Sequence, residues 1–165
     1  KAIRRQRQMC IRDRGSPMGN SNKREPWIIL VSHGHMAKEV LASAEMIMGK
    51  LKEVKTFSLI EGESPEKLIH QMMASLRDAP ENSIILVDLL GGTPSNVISK
   101  IASQHDYAVV TGLNLGMLIE AEMLRYQNKD NDPRQVAEKL VESGKKGIVD
   151  LKKRLAETSI EEGEL

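Results

Sequence analysis

Two short segments of this chain carry residue types able to do chemistry together. Ser32-His33-Gly34-His35 follows an apolar run and precedes a helical pattern, and so does Val87-Asp88-Leu89-Leu90-Gly91-Gly92-Thr93-Pro94-Ser95-Asn96. An imidazole whose Nδ1–H is held by a carboxylate keeps Nε2 free as a nucleophile. The same carboxylate favours the cationic ring that forms as an electrophile bonds to nitrogen. His33 and Asp88 are the candidates for that couple. A phosphoryl group suits the surroundings, because its spread negative charge needs fixed donors more than acid or base. The backbone N–H groups of Gly91, Gly92 and Thr93 would supply them, helped by the helix opening at Pro94. The Gly34 amide, at the head of the first helix, would add another.

Each residue also has an ordinary structural use. The glycine pair makes a tight turn, and Thr93 is placed to cap a helix whether or not it also lines a site. Asn96 caps or orients the same loop. His35 starts the first helix and flanks the site. His70, on a helix face, and His105, at a helix end, read as surface residues.

The elements around these segments alternate. Trp27 to Ser32 is a continuous apolar run, the mark of a strand covered on both faces. Met36 to Met48 places apolar residues at 36, 40, 41, 44, 47 and 48, one face of a helix closed by Gly49. Val54 to Ile60 is a second strand. Ser64-Pro65 opens a helix with a stripe of Leu68, Ile69, Met72, Met73 and Leu76. Ser83 to Asp88 is a third strand, and Thr93-Pro94 opens the next helix by the same device. Tyr107 to Gly112 is a fourth strand and Met117 to Tyr126 a helix. Asp132-Pro133-Arg134-Gln135 caps a long helix ending near Gly144. Gly147 to Leu151 is either a short fifth strand or more helix. The fold class is therefore α/β, a mostly parallel open sheet with helices on both faces, built from right-handed βαβ units. In strand order 2-1-3-4, plus that fifth antiparallel strand, His33 and Asp88 end neighbouring strands at the crevice where such sheets bind ligands.

Composition excludes several classes. Four aromatic residues, Trp27, Phe57, Tyr107 and Tyr126, are too few for a stacking platform on single-stranded nucleic acid. The nine methionines read as core packing in their place. Net charge is +1, but residues 1–25 hold eight Lys/Arg against two Asp/Glu, and the remaining body sixteen against twenty-one. Residues 1–25 lack apolar periodicity and read as a disordered basic extension. Within it Gly15-Ser16-Pro17-Met18 reads as a junction, with residues 1–17 non-native. Residues 26–156 form the domain, and 157–165 an acidic mobile tail. Cys10 is the sole cysteine, so thiolates build neither a disulfide nor a metal site. No apolar stretch is long enough to span a bilayer, and cytoplasm is expected. No phosphate-loop, dinucleotide, nucleophile-elbow or zinc motif occurs. The phosphoryl group would thus be received rather than taken from ATP.

The three stretches Ser32-His33-Gly34, Leu86 to Asn96, and Thr111-Gly112-Leu113-Asn114-Leu115-Gly116-Met117-Leu118-Ile119-Glu120 resemble the enzyme IIA domain of the mannose/fructose/sorbose class of the bacterial phosphoenolpyruvate:sugar phosphotransferase system (PTS). The likeness covers roughly Trp27 to Leu155. The family often has proline where Gly116 stands and serine where Thr93 stands; Thr93 keeps the hydroxyl. The resemblance implies a phosphotransferase with His33 phosphorylated on Nε2, Asp88 as its partner, and Thr93 and its neighbours lining the site. It implies phosphoryl donation by the phosphocarrier protein HPr and transfer to a separate IIB protein. The sugar would enter through membrane IIC and IID subunits. It also implies a homodimer exchanging an antiparallel fifth strand, for which Gly147 to Leu151 is the candidate. No cofactor, metal or nucleic acid is expected.

Three other readings compete. The phosphotransfer subunit of a PTS-dependent dihydroxyacetone kinase has a related domain with a different site loop. A signalling receiver phosphorylated on Asp88 wants an acidic pair where Ser32-His33 stands. A regulatory module would bind a phosphorylated ligand without becoming phosphorylated.

Overall fold

The computed structural model describes residues 24–127 and 132–163. The elements run β1 (Ile28–His33), α1 (Met36–Met48), β2 (Val54–Leu59), α2 (Pro65–Leu76), β3 (Ile84–Val87), α3 (Thr93–Ala102), β4 (Ala108–Thr111), α4 (Leu115–Gln127), α5 (Pro133–Lys146) and α6 (Leu151–Gly163). The four strands form one parallel sheet in the order β2-β1-β3-β4. The basic extension lies almost wholly outside the described residues.

Alternation along the strands builds two cores. Ile28, Leu30, Ile84, Leu86, Ala108 and Val110 face α1, α4 and α5. Ile29, Val31, Ile85 and Val87 face α2 and α3. Strands β1 and β3 are buried throughout their apolar runs, as expected for a parallel sheet covered on both sides. Right-handed crossovers fix the arrangement. The chain moves outward from β1 to β2 through α1 on one face. It then recrosses and continues to β4 through α2 and α3 on the other. Between β1 and β3 the direction reverses, and a crevice opens at their carboxyl ends.

Local signals set most of the boundaries. The Ser64 hydroxyl accepts from the Lys67 N–H at 3.4 Å, with Pro65 in the first turn. The Asp132 carboxylate accepts from the Arg134 N–H at 3.1 Å, with Pro133 in the first turn. Gly49 ends α1 at φ +82° and donates to the Glu45 carbonyl.

Several expectations are corrected. Helix α3 is capped by Gly92, not Thr93, which is already the first helical residue. Helix α5 continues to Lys146 rather than stopping near Gly144. Gly147 caps α5, and no strand forms between it and Leu151, where α6 begins. The sheet ends at β2 and β4, and this segment pairs with neither edge. Helix α6 carries the backbone of the acidic tail as far as Gly163, and its described side chains, at 151–157, are exposed and join neither core.

The methionines are not core substitutes for aromatic bulk. Met72 and Met117 are buried, but Met36, Met46, Met48, Met73 and Met123 are exposed; Met9 and Met18 lie outside the described residues. The Ile/Leu/Val runs of the strands fill the interior. Helix α1 approaches the sheet through Ala37 and Ala44, with Val40 and Leu41 beside them. That leaves Met36, Ile47 and Met48 exposed beside the buried stripe.

Candidate functional site

His33 is the last residue of β1, and Asp88 directly follows β3. The Asp88 N–H donates to the Val31 carbonyl at 3.0 Å, which carries the β1–β3 ladder one step further. This brings the two side chains together across the crevice. The His33 backbone N–H donates to Asp88 Oδ2 at 2.8 Å, and ring Nδ1 lies 2.8 Å from the same oxygen. A carboxylate only accepts, so Nδ1 carries the proton, and in the neutral ring Nε2 keeps its lone pair. The other carboxylate oxygen, Oδ1, accepts from the Leu89 N–H at 2.8 Å.

The couple is asymmetric in exposure. The His33 side chain is 43% exposed and that of Asp88 7%. Burial pushes the Asp88 carboxyl up. The donors from the His33 backbone, the His33 ring and the Leu89 backbone, with the charge of the ring, outweigh burial and hold it below its usual value of 3.8. The carboxylate is thus a fixed charge behind a ring that faces solvent.

The turn carrying His33 is secured from behind. The buried Ser32 hydroxyl accepts from the Ala37 N–H at 2.8 Å, tying the end of β1 to the first turn of α1. Gly34 takes φ +54°, a conformation that favours glycine. His35 is the N-cap of α1 and is exposed.

The Gly91-Gly92 turn approaches from the other side. A Cβ on Gly92 would lie 2.7 Å from His33 Cε1 and 3.3 Å from Nε2. Only a residue without a side chain lets this backbone meet the ring edge that bears the free lone pair. The amides expected as phosphate donors are not equivalent. The Gly91 N–H donates to the Ser95 hydroxyl at 3.0 Å, and the Gly34 N–H to the Leu59 carbonyl at 2.9 Å. Those of Gly92 and Thr93 have no acceptor among the described residues. The turn that carries these unsatisfied donors, at the start of α3, thus meets the ring through Gly92, and a helix N-terminus of this kind suits an anion.

Two residues of this arrangement had no role assigned from sequence. Ser32 braces the histidine turn, and Ser95 bonds the glycine turn. The signal for Ser95 was a hydroxyl at the third helical position after a capless glycine. Asn96 is exposed; its N–H donates to the Gly92 carbonyl at 3.1 Å. His70, on α2, and His105, past the end of α3, are exposed, and His105 stacks on Tyr107. Among the described residues no group of three or more His, Cys, Asp or Glu could hold a metal ion. No helix among them is long and apolar enough to cross a membrane. A groove of about 620 Å³ lies between α2 and α3 and meets the site through Thr93 and Asn96. Its walls are mainly apolar, and His33 is not among them.

Comparison with known proteins gives consistent results. A family model described as the PTS system fructose IIA component matches residues 27–140. The PTS system mannose-specific EIIAB component of Escherichia coli K12 is 34% identical over 135 residues, covering 79% of this chain and 41% of that protein. The chain thus spans about two fifths of the length of that relative. The PTS system sorbose-specific EIIA component of Lacticaseibacillus casei is 32% identical over 95 residues, 56% of this chain and 69% of that one. Among solved structures, the phosphotransferase system component EIIA from Streptococcus agalactiae superposes with a TM-score of 0.71 at 33% identity, over 77% of this chain and 98% of that one. The mannose/sorbose-specific IIA subunit from Enterococcus faecalis gives 0.68 at 32% identity, over 77% and 95%.

Proposed function

Since the chain belongs to the mannose-type EIIA family of phosphotransferase-system IIA components, we propose that it is a cytoplasmic phosphocarrier that accepts a phosphoryl group on Nε2 of His33. The donor is phospho-HPr and the acceptor a IIB domain or protein, which phosphorylates a sugar entering through membrane IIC and IID subunits. The working unit is a homodimer. The observation that carries the reading is the His33–Asp88 couple, sharing one carboxylate oxygen beside the open amides of Gly92 and Thr93.

The step balances without a cofactor. The Nε2 lone pair attacks phosphorus, the N–P bond forms, and the bond from phosphorus to the donor's leaving atom breaks. The ring becomes cationic while Nδ1–H stays on Asp88, whose negative charge compensates it. The equatorial oxygens of the phosphoryl group meet the free N–H groups at the head of α3. Transfer to the acceptor reverses these changes. Phosphorylation of Asp88 itself fits poorly, because both of its oxygens are already hydrogen-bonded.

The test is incubation with phosphoenolpyruvate, enzyme I and HPr, followed by mass mapping. One acid-labile, alkali-stable phosphoryl group on His33 is expected, and none on His33→Ala with its fold retained. A hydroxylamine-sensitive acyl phosphate would place the group on Asp88. Full labelling of His33→Ala would reject the assignment, and binding without covalent modification would reject the phosphocarrier reading altogether.

A further inference from the structure

The buried hydroxyl of Ser95 decides how the glycine turn faces the histidine. We propose that Ser95 is a positioning residue for phosphoryl transfer at His33, one that prevents the Gly92–Thr93 peptide from flipping. This rests on the phosphocarrier reading.

Ser95 is 6% exposed, and its hydroxyl makes two bonds to the turn. It accepts from the Gly91 N–H at 3.0 Å and donates to the Gly92 carbonyl at 2.9 Å. The Asn96 N–H donates to that carbonyl as well, at 3.1 Å. A trans peptide is planar, with C=O and N–H pointing opposite ways. Holding the Gly92 carbonyl toward the helix body therefore turns the Thr93 N–H outward, past the start of α3, where an anion is received. A rotated plane would present a carbonyl oxygen to the phosphoryl oxygens and repel them.

The turn needs such a lock because it is made of glycine. Gly91 stands at φ +87°, and paired glycines cross between conformations with little steric hindrance. Gly92, the N-cap of α3, has no side chain to fix the helix start. Ser95 does so from inside the helix. The usual capping box runs from the third helical position to the N-cap amide; here the hydroxyl reaches one residue further back and leaves the Gly92 and Thr93 amides unused.

The experiment compares Ser95→Ala, Ser95→Thr and Ser99→Ala in single-turnover phosphorylation by phospho-HPr. Ser99 makes its own hydroxyl bond to the Ser95 carbonyl on the same helix but does not touch the turn. Ser95→Ala is expected to slow transfer at saturating donor by about tenfold, less than the 10²–10³-fold cost of deleting a donor that touches the charge. The half-saturating donor concentration should stay within about twofold, because the docking surface is unchanged. Ser99→Ala keeps the wild-type rate. Ser95→Thr recovers most of it. The Thr93 amide proton resonance, moved downfield by phosphorylation in the wild type, moves less in Ser95→Ala. The idea is overturned if Ser95→Ala transfers at the wild-type rate, even with a lowered Tm. It is overturned equally if Ser99→Ala slows as much, or if the Thr93 amide responds as in the wild type. Failure of the wild type to label at His33 would instead refute the phosphocarrier reading.

Discussion

Asp88 Oδ2 receives both the backbone N–H and the ring Nδ1–H of His33, each at 2.8 Å. One oxygen thereby fixes the position of the histidine backbone and the tautomer of its ring. A ring held only through its side chain would swing about χ1. This one is referenced to its own main chain, so Nε2 stays at one place against the Gly92 turn. The geometry suits a group that must be attacked from outside, since the carboxylate is buried and the ring is 43% exposed.

Replacing Asp88 by Asn removes the charge that compensates the cationic ring and offers an amide N–H where an acceptor is needed. Phosphoryl transfer from phospho-HPr should slow by about 10²-fold or more. Rapid-quench single-turnover kinetics measures it. Wild-type rates in the variant would remove the carboxylate from the mechanism.

The same carboxyl makes stability depend on pH in a defined direction. Its folded value lies below the usual 3.8, so the folded state favours the carboxylate. That contribution is complete above 3.8 and is lost as pH falls through the lower folded value. Denaturant melts of the wild type and Asp88→Asn should therefore differ at pH values above 3.8. They should converge as the pH drops below 3.8. A gap that widens as the pH falls below 3.8 would mean that the sign is wrong.

Gly92→Ala introduces a Cβ 2.7 Å from His33 Cε1. Either the ring rotates off Asp88 or the turn retreats, and a misplacement of about 1 Å at a reacting centre costs about 10²-fold in rate. Far-UV circular dichroism should be unchanged, with transfer lost. The imidazole NMR signals of the variant should show whether Nδ1 has left the carboxylate. Normal transfer would show that the ring and the turn move apart freely.

Far from the site, Glu122 and Arg125 form a buried ion pair on α4. Arg125 also donates to the Pro26 and Glu53 carbonyls, each at 3.4 Å, ahead of β1 and β2. Glu122→Ala strands a buried guanidinium, and a loss of about 3–5 kcal/mol is expected in chemical unfolding. Phosphorylation of the fraction that stays folded should proceed as in the wild type. A small loss would mean that water reaches Arg125.

The sequence by itself determined the frame. Unbroken apolar runs before His33 and Asp88 could only be strands covered on both faces, and helical spacing between them forced parallel crossovers. Side-chain caps with a following proline placed the starts of α2 and α5, because those bonds close within a few residues. The motif residues also placed the couple on neighbouring strand ends. What only the tertiary structure decided lies where a residue's partner is distant in the chain or shared between candidates. The Gly34 and Gly91 amides looked as available as those of Gly92 and Thr93 until the Leu59 carbonyl and the Ser95 hydroxyl were seen to take them. The methionines had core spacing, yet which face of α1 turns inward depends on how closely the sheet approaches, and the alanines won. Periodicity encodes which residues share a face. It does not encode which of two equal donors has its acceptor already, because that is settled by the pairing of β1 with β2 for Gly34 and by how the turn folds back on α3 for Gly91.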